Sequence, residues 1–401
     1  MPADLSTVNT LLKEIYQGRL QNQLQNELVG MKRIEQTSDG VESNVGGKYV
    51  VFPLKISRNQ GIGYRNESEQ LPLAGQQGYT RVQIGLRYGY GALKMTGQLM
   101  ELATSNTQAF SNTMDLEISG LKDDVAKDQA RIFYGDGVGT MATVSAATGP
   151  LQTLTVANTQ YLEVGQVVDI TTSSTNSTVI TGGTARTIAS IVPATGVVTL
   201  VTGTAITTAL GNTIVRTANW GKEPNGLASI VSTTGTLHNV DPNLVPIWKA
   251  TVDANGGSNR ALSEALMITQ VDLVRTLGAK TSLFLTSLGV RRSYFNLLQQ
   301  QRQFTGTQEF AGGFKGLAFA AGGGNIPLVE DPDCPKNTLY GLDESSLKVY
   351  RDSDWHFLNR DGSIWKWVHG FDQYEAILAK YWELATNRRN ANFVIKDITE
   401  A

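Results

Sequence analysis

One cysteine, Cys334, in 401 residues leaves no intrachain disulfide framework and no multi-cysteine metal site. Three histidines, His238, His356 and His369, are too few for a His-rich metal centre. Charge is sparse as well. Asp, Glu, Lys and Arg make up 17% of the chain, against ~25% in an average soluble protein. The 34 basic and 36 acidic residues nearly cancel, at a net charge of −2, which excludes a generally basic nucleic-acid coat. No apolar run approaches the ~18–20 residues of a membrane span, so no membrane is expected as a partner. Met1 to Gln25 carry charges and glutamines where a secretory signal has an apolar stretch, so a soluble, intracellularly made protein is expected.

The motifs of common chemistries are missing too. There is no GxxxxGK[ST] loop, because Gly46-Gly47-Lys48 runs into Tyr49, and there is no HExxH, GxSxG or CxxC. Gly135-Asp136-Gly137-Val138-Gly139 follows a helical pattern where a dinucleotide loop follows a strand. Asp331, Asp333, Asp352 and Asp354 fall in no EF-hand register. Cys334, between Asp333 and Pro335, has no activating neighbour. The expectation is of a protein that is not an enzyme, with no catalytic residue, no cofactor and no metal.

What is present is uneven along the chain. Residues 1–45 read as an arm, with Leu11, Leu12, Ile15, Leu20, Leu24 and Leu28 roughly at helical spacing. An amphipathic helix docked on a neighbour and a frayed terminus fit this stretch equally. KYVVFPLKI (48–56) is strand-like, and so is Thr80 to Met95, with Val82, Ile84, Leu86, Tyr88 and Tyr90 at period two. The segment between them is rich in Gly, Asn, Gln and charge. Two strands with a long polar tip describe a hairpin arm. Such a hairpin is marginal alone, so an identical neighbour or the rest of one sheet has to bury its apolar face.

The clearest helix runs from about Leu99 to Phe133, with Phe110, Met114, Ile118, Leu121, Val125 and Ile132 on one face. Gly135-Asp136-Gly137 stops it. From Val138 to Asn219 Thr, Val, Ala, Gly and Ser dominate, and the only charges are Glu163, Asp169, Arg186 and Arg216. Short β-branched runs between Gly and Asn turns point to an inserted all-β sandwich or barrel. After Trp220 the pattern is mixed. Ser258 is read as the cap of a helix to Leu277, 281–287 as a buried strand, and Val290 to Phe304 as a second helix. Long antiparallel strands fit Trp355 to Ile398. The fold class is α+β and not a regular βαβ array.

This order of arm, hairpin arm, long helix, α+β body and C-terminal strands resembles the tailed-bacteriophage major capsid proteins of the Hong Kong 97 fold. RIFYGDGVG (131–139) and GKEPNGLASI (221–230) look like two halves of a family segment parted by the β-rich window, and GGGNIPLVEDPDCPKNTLYGLD (322–343) looks like a late body-domain passage. The resemblance implies an N-terminal arm (1–45), an extended β-hairpin loop across the adjacent subunit (46–96), and a spine helix of the peripheral domain (97–136). It further implies an inserted all-β domain (137–219), an axial domain (220–345) and C-terminal peripheral-domain strands (346–401). It implies homopentamers and homohexamers forming an icosahedral head that encloses double-stranded DNA without sequence-specific binding. A separate scaffolding protein, a portal and a decoration protein are the implied partners, and a virion capsid assembled in the host cytoplasm is the implied location. Arg58, Arg65, Glu67 and Glu69 at the hairpin tip are the candidate subunit-interface residues, pairing charges across subunits. Lys55 and Lys94 match no crosslinking motif, so no autocatalytic crosslink is expected. The alternatives are an encapsulin-like compartment shell protein and a β-rich binding or adhesin protein.

Overall fold

The structure is a computed structural model that describes residues 29–38, 49–98, 107–301, 308–309, 315–321, 324–359 and 362–401. The helical readings of residues 11–28, 99–106 and 302–304 lie outside them. The chain packs as two units, one holding, of the described residues, 29–33, 87–228 and 351–382, the other 34–86, 229–350 and 383–401. The segment 346–401, expected as C-terminal peripheral-domain strands, is shared between them, with 351–382 in the first unit and 346–350 and 383–401 in the second.

In the first unit, the helix Thr107–Phe133 lies on one face of an antiparallel pair. Strand Arg87–Thr96 runs against the long strand Gln373–Thr386, with Tyr88 opposite Tyr381 and Thr96 opposite Gln373. Alternation along the strand sorts its side chains. Leu93 and Met95 turn inward and pack with Ile118, Trp365 and Ala376. A Cβ on Gly91 would sit 3.2 Å from Leu121 of the helix. Tyr88, Tyr90 and Lys94, at the other phase, face away from the helix and are exposed.

The β-rich window forms a closed antiparallel barrel within this unit. Val167–Ser173, Arg186–Val192, Val197–Leu200, Thr153–Val156, Thr140–Ala146 and Thr213–Arg216 pair in a ring, closed by Arg186 opposite Val168. Closure removes free strand edges. Val144, Leu154, Ile170, Ile188, Val198 and Ile214 fill the interior. The first and last barrel strands are neighbours, so the chain enters and leaves side by side, with Gly221 N donating to Val138 O at 2.8 Å.

Beneath the barrel the end of the helix is clasped. Arg131, buried, reaches Glu223 at 2.5 Å and Asp128 at 3.1 Å. Burial opposes its charge, but Glu223 and Asp128 outweigh burial and raise the guanidinium pKa, so the ion pair is held. Gly226 passes so close to Ile132 and Gly135 that a Cβ there would collide with their backbone.

The second unit holds a seven-stranded mixed sheet in the order Thr251–Asp253, Phe393–Ile395, Leu339–Leu342, Leu283–Thr286, Gly324–Glu330, Lys315–Ala321, Gln308–Glu309. Helices Glu264–Thr276 and Leu288–Gln301 contribute Met267, Val274, Val290 and Tyr294 to a core with Phe284, Leu328 and Phe393. The first of these helices is capped by Ser263, whose Oγ accepts from Leu266 N at 3.2 Å. Ser258, the expected cap, sits in the preceding loop, where its carbonyl accepts from the Asn255 side chain.

The expected single strand from Thr80 to Met95 is two strands in two sheets. Tyr79–Ile84 pairs with Val50–Lys55, and Arg87–Thr96 pairs with the long strand. The break at Gly85-Leu86 has a physical reason. Before it the even positions Val82 and Ile84 are buried; after it the odd positions Leu93 and Met95 are. One residue of slip reverses which face is apolar.

Candidate assembly surface

The hairpin in the second unit has a buried root and an exposed tip. Six rungs join Val50–Lys55 to Tyr79–Ile84, from Val50 opposite Ile84 to Lys55 opposite Tyr79. Val82 and Ile84 are fully buried, and Gln83 N donates to His238 O at 3.0 Å. A cavity of about 330 Å³ lies at Phe52, lined by Lys348, Tyr350, Ala385, Thr386 and Asn387.

Beyond the rungs, residues 56–78 run out and back as two limbs drawn together at a neck. Gly61 and Gly75 face each other there, and a Cβ on Gly61 would lie 2.6 Å from Leu73 O and 2.8 Å from Gly75 N. Only glycine permits that approach. Asn59 Oδ1 accepts from Gly61 N at 2.7 Å and braces the neck. Further out, Pro72 lies against Gly63, and Arg65 Nε donates to Gln70 O at 3.0 Å.

All four charged residues singled out in the tip are exposed. Two are used inside the loop. Arg65 donates to the carbonyls of Gln70 and Tyr64. Glu69 accepts from the backbone and side-chain amides of Asn66, both at 3.0 Å, and these bonds hold its carboxyl below the usual range. Arg58 and Glu67 form no ion pair among the described residues.

Sequence reasoning missed the apolar content of the tip. Ile62 is 83% exposed, Tyr64 99%, Leu71 77% and Leu73 80%. They alternate with Gly, Asn, Gln and Glu, so the stretch averages as polar. The signal was the pairing of the two limbs, which sets 62 and 64 beside 71 and 73.

Away from the hairpin, polar side chains pair within the fold. Asp354 holds Lys380 at 3.3 Å and Arg351 at 2.8 Å. Burial works against the charged carboxylate, yet Lys380 and Arg351 outweigh it and lower its pKa. Burial, together with Asp331, Glu400 and Asp333, raises the Cys334 thiol well above its ordinary value and favours the neutral thiol. Among the described residues no group of three or more His, Cys, Asp and Glu side chains is placed to hold a metal ion, and no helix is long and apolar enough to cross a membrane.

No family model matches the chain, and no curated relative does. Solved structures do. A chain of the cyanophage A-1(L) capsid asymmetric unit aligns over 94% of this chain and 94% of its own, with a TM-score of 0.55 and 15% identity. The capsid of the native GTA particle aligns over 92% and 90%, with a TM-score of 0.46 and 11% identity. The holo-SrpI encapsulin complex from Synechococcus elongatus PCC 7942 aligns over 91% and 85%, with a TM-score of 0.42 and 8% identity. At 15% identity the first likeness is one of architecture, and it extends along almost the whole of both chains: this protein has the α+β fold of a phage capsid chain.

Proposed function

We propose that this protein is a major capsid protein. It self-assembles into pentamers and hexamers of an icosahedral head that encloses phage double-stranded DNA. The observation that carries the reading is the end-to-end fold likeness to the cyanophage capsid chain. The order of parts supports it. Residues 46–96 act as the extended loop, the helix Thr107–Phe133 as the spine, and the second unit's sheet and helices as the axial body. The barrel is an insertion displayed on the outer surface, because its Thr- and Ser-rich exterior suits water and an added domain is easiest to accommodate there. A separate scaffolding protein, a portal and a decoration protein complete the virion.

A near-zero net charge suits a container that encloses DNA without gripping it. A ring of five or six copies uses heterologous contacts, in which one patch meets a different patch on the next copy. Negative-stain electron microscopy with light scattering, on the protein alone and with its neighbouring genes, tests the proposal. Closed shells, or free pentamers and hexamers, are expected. A strictly monomeric species under both conditions overturns it.

A further inference from the structure

We infer that the hairpin tip is an apolar plug, and that its socket is the outward tyrosine face of strand Arg87–Thr96 on a second copy of this chain. The inference rests on the shell reading and adds to it which residues meet and by what chemistry.

The plug is the quartet Ile62, Tyr64, Leu71 and Leu73. Their exposed surfaces sum to on the order of 500 Å². The glycine neck and the Arg65 and Glu69 hydrogen bonds fix the limbs, so the quartet is presented ready-made. About 20 Å of paired hairpin holds it away from the root. The cover must come from another molecule.

Two observations point to a second copy. The first is area. A stable free dimer buries about 800 Å² per partner, and the quartet falls short of that. Such a contact holds only where it is repeated, as in a ring where each copy gives one tip and receives one. The second is complementarity on the same chain. Tyr88 is 65% exposed and Tyr90 58%, and both rings stand edge-on to Tyr381, at 5.0 and 6.1 Å. Clustered tyrosines are the residue type of energetic hot spots. Other strongly exposed aliphatics, such as Val164, Leu210 and Leu244, sit singly in turns. Lys94 lies directly across from Glu375 at the same phase as Tyr88 and Tyr90.

The test is a disulfide trap in assembled particles. Leu71→Cys and Tyr90→Cys are introduced together, and Cys334, at 1% exposure, stays silent. After oxidation with copper phenanthroline, a non-reducing gel is expected to show a ladder from dimer up to five- and six-membered covalent rings. Each single-cysteine variant is expected to stay monomeric on the gel. Shells without a ladder in the double variant overturn the plug-and-socket contact and leave the shell reading standing. A wild-type protein that forms no shell overturns the shell reading first. Should the double variant fail to assemble, Tyr64→Ser decides. With an unchanged melting temperature, it is expected to raise the critical assembly concentration at least tenfold, and an unchanged concentration overturns the inference.

Discussion

Arg389 is a cation at 1% exposure, and among the described residues no carboxylate pairs with it. Its guanidinium donates instead to the carbonyls of Ser229, Ile230, Thr234 and Gly235, each at 2.9 to 3.0 Å. These bonds shape the loop whose His238 carbonyl receives the hairpin. Arg389→Met leaves those carbonyls without a donor and is expected to destabilise the second unit by roughly 3 kcal/mol or more, read from denaturant midpoints. Arg389→Lys, a point donor that reaches fewer carbonyls, should fall between the two. His238 carries a pH consequence. Burial, and then the charge of Arg389, push its imidazole down to about 3. An unfolded histidine titrates near 6.5, so between about 6.5 and 3 the unfolded chain binds more protons than the folded one. Stability is therefore full above pH ~6.5 and is lost as pH falls, by up to ~1.4 kcal/mol per unit. His238→Asn keeps a residue that tolerates the positive φ of 50°. It should flatten that slope in urea midpoints taken between pH 7 and 4, and parallel slopes in the two proteins would refute a neutral buried imidazole. At the clasp, Gly226→Ala drives a methyl into the backbone of Ile132 and Gly135 and should lower stability by roughly 1–3 kcal/mol in thermal unfolding.

At the scale of elements, the barrel has what a free-standing domain needs. Its pairing ring is closed, its interior is filled by apolar side chains, and its two connections meet at Val138 and Gly221. Residues 137–221 expressed alone are expected to give a β-type circular dichroism spectrum and one cooperative melt; a broad, non-cooperative transition would show that the barrel depends on the clasp below. The barrel also marks what was legible. Short β-branched runs between Gly turns declare strands, because alternation is local. Closure is not local. It depends on Arg186 finding Val168, which no window of sequence contains. The long helix was visible from its one-sided spacing, whereas the change of phase at Gly85-Leu86 was not, since alternation on either side of it looks continuous. The tip charges were visible as residues. Their use inside the loop was not, because Arg65 meets the Gln70 carbonyl only once the limbs have folded together. Ile62, Tyr64, Leu71 and Leu73 were diluted by polar neighbours for the same reason.

For the whole molecule, the assembly proposed above turns on what kind of force joins copies, and salt separates the answers. An exposed ion pair contributes ~0–1 kcal/mol and is screened beyond ~8 Å at physiological ionic strength. Burying one large apolar side chain contributes ~1.5–3 kcal/mol and does not depend on a charge. Arg65 and Glu69 are already bonded within the loop, which leaves Arg58 and Glu67 as the free charges of the tip. If charge pairs held the copies together, raising NaCl from about 0.05 M to about 1 M would increase the critical assembly concentration by tenfold or more. With the apolar quartet as the main anchor, the shift should stay within about threefold, and Arg58→Ala or Glu67→Ala should move it no further. Temperature gives the converse signature. Hydrophobic association weakens on cooling, so shells formed at 37 °C should lose copies near 4 °C, where ion pairs would hold them. Light scattering across salt and temperature reads both effects on one sample. A strong salt dependence with cold-stable shells would return the interface to its charges.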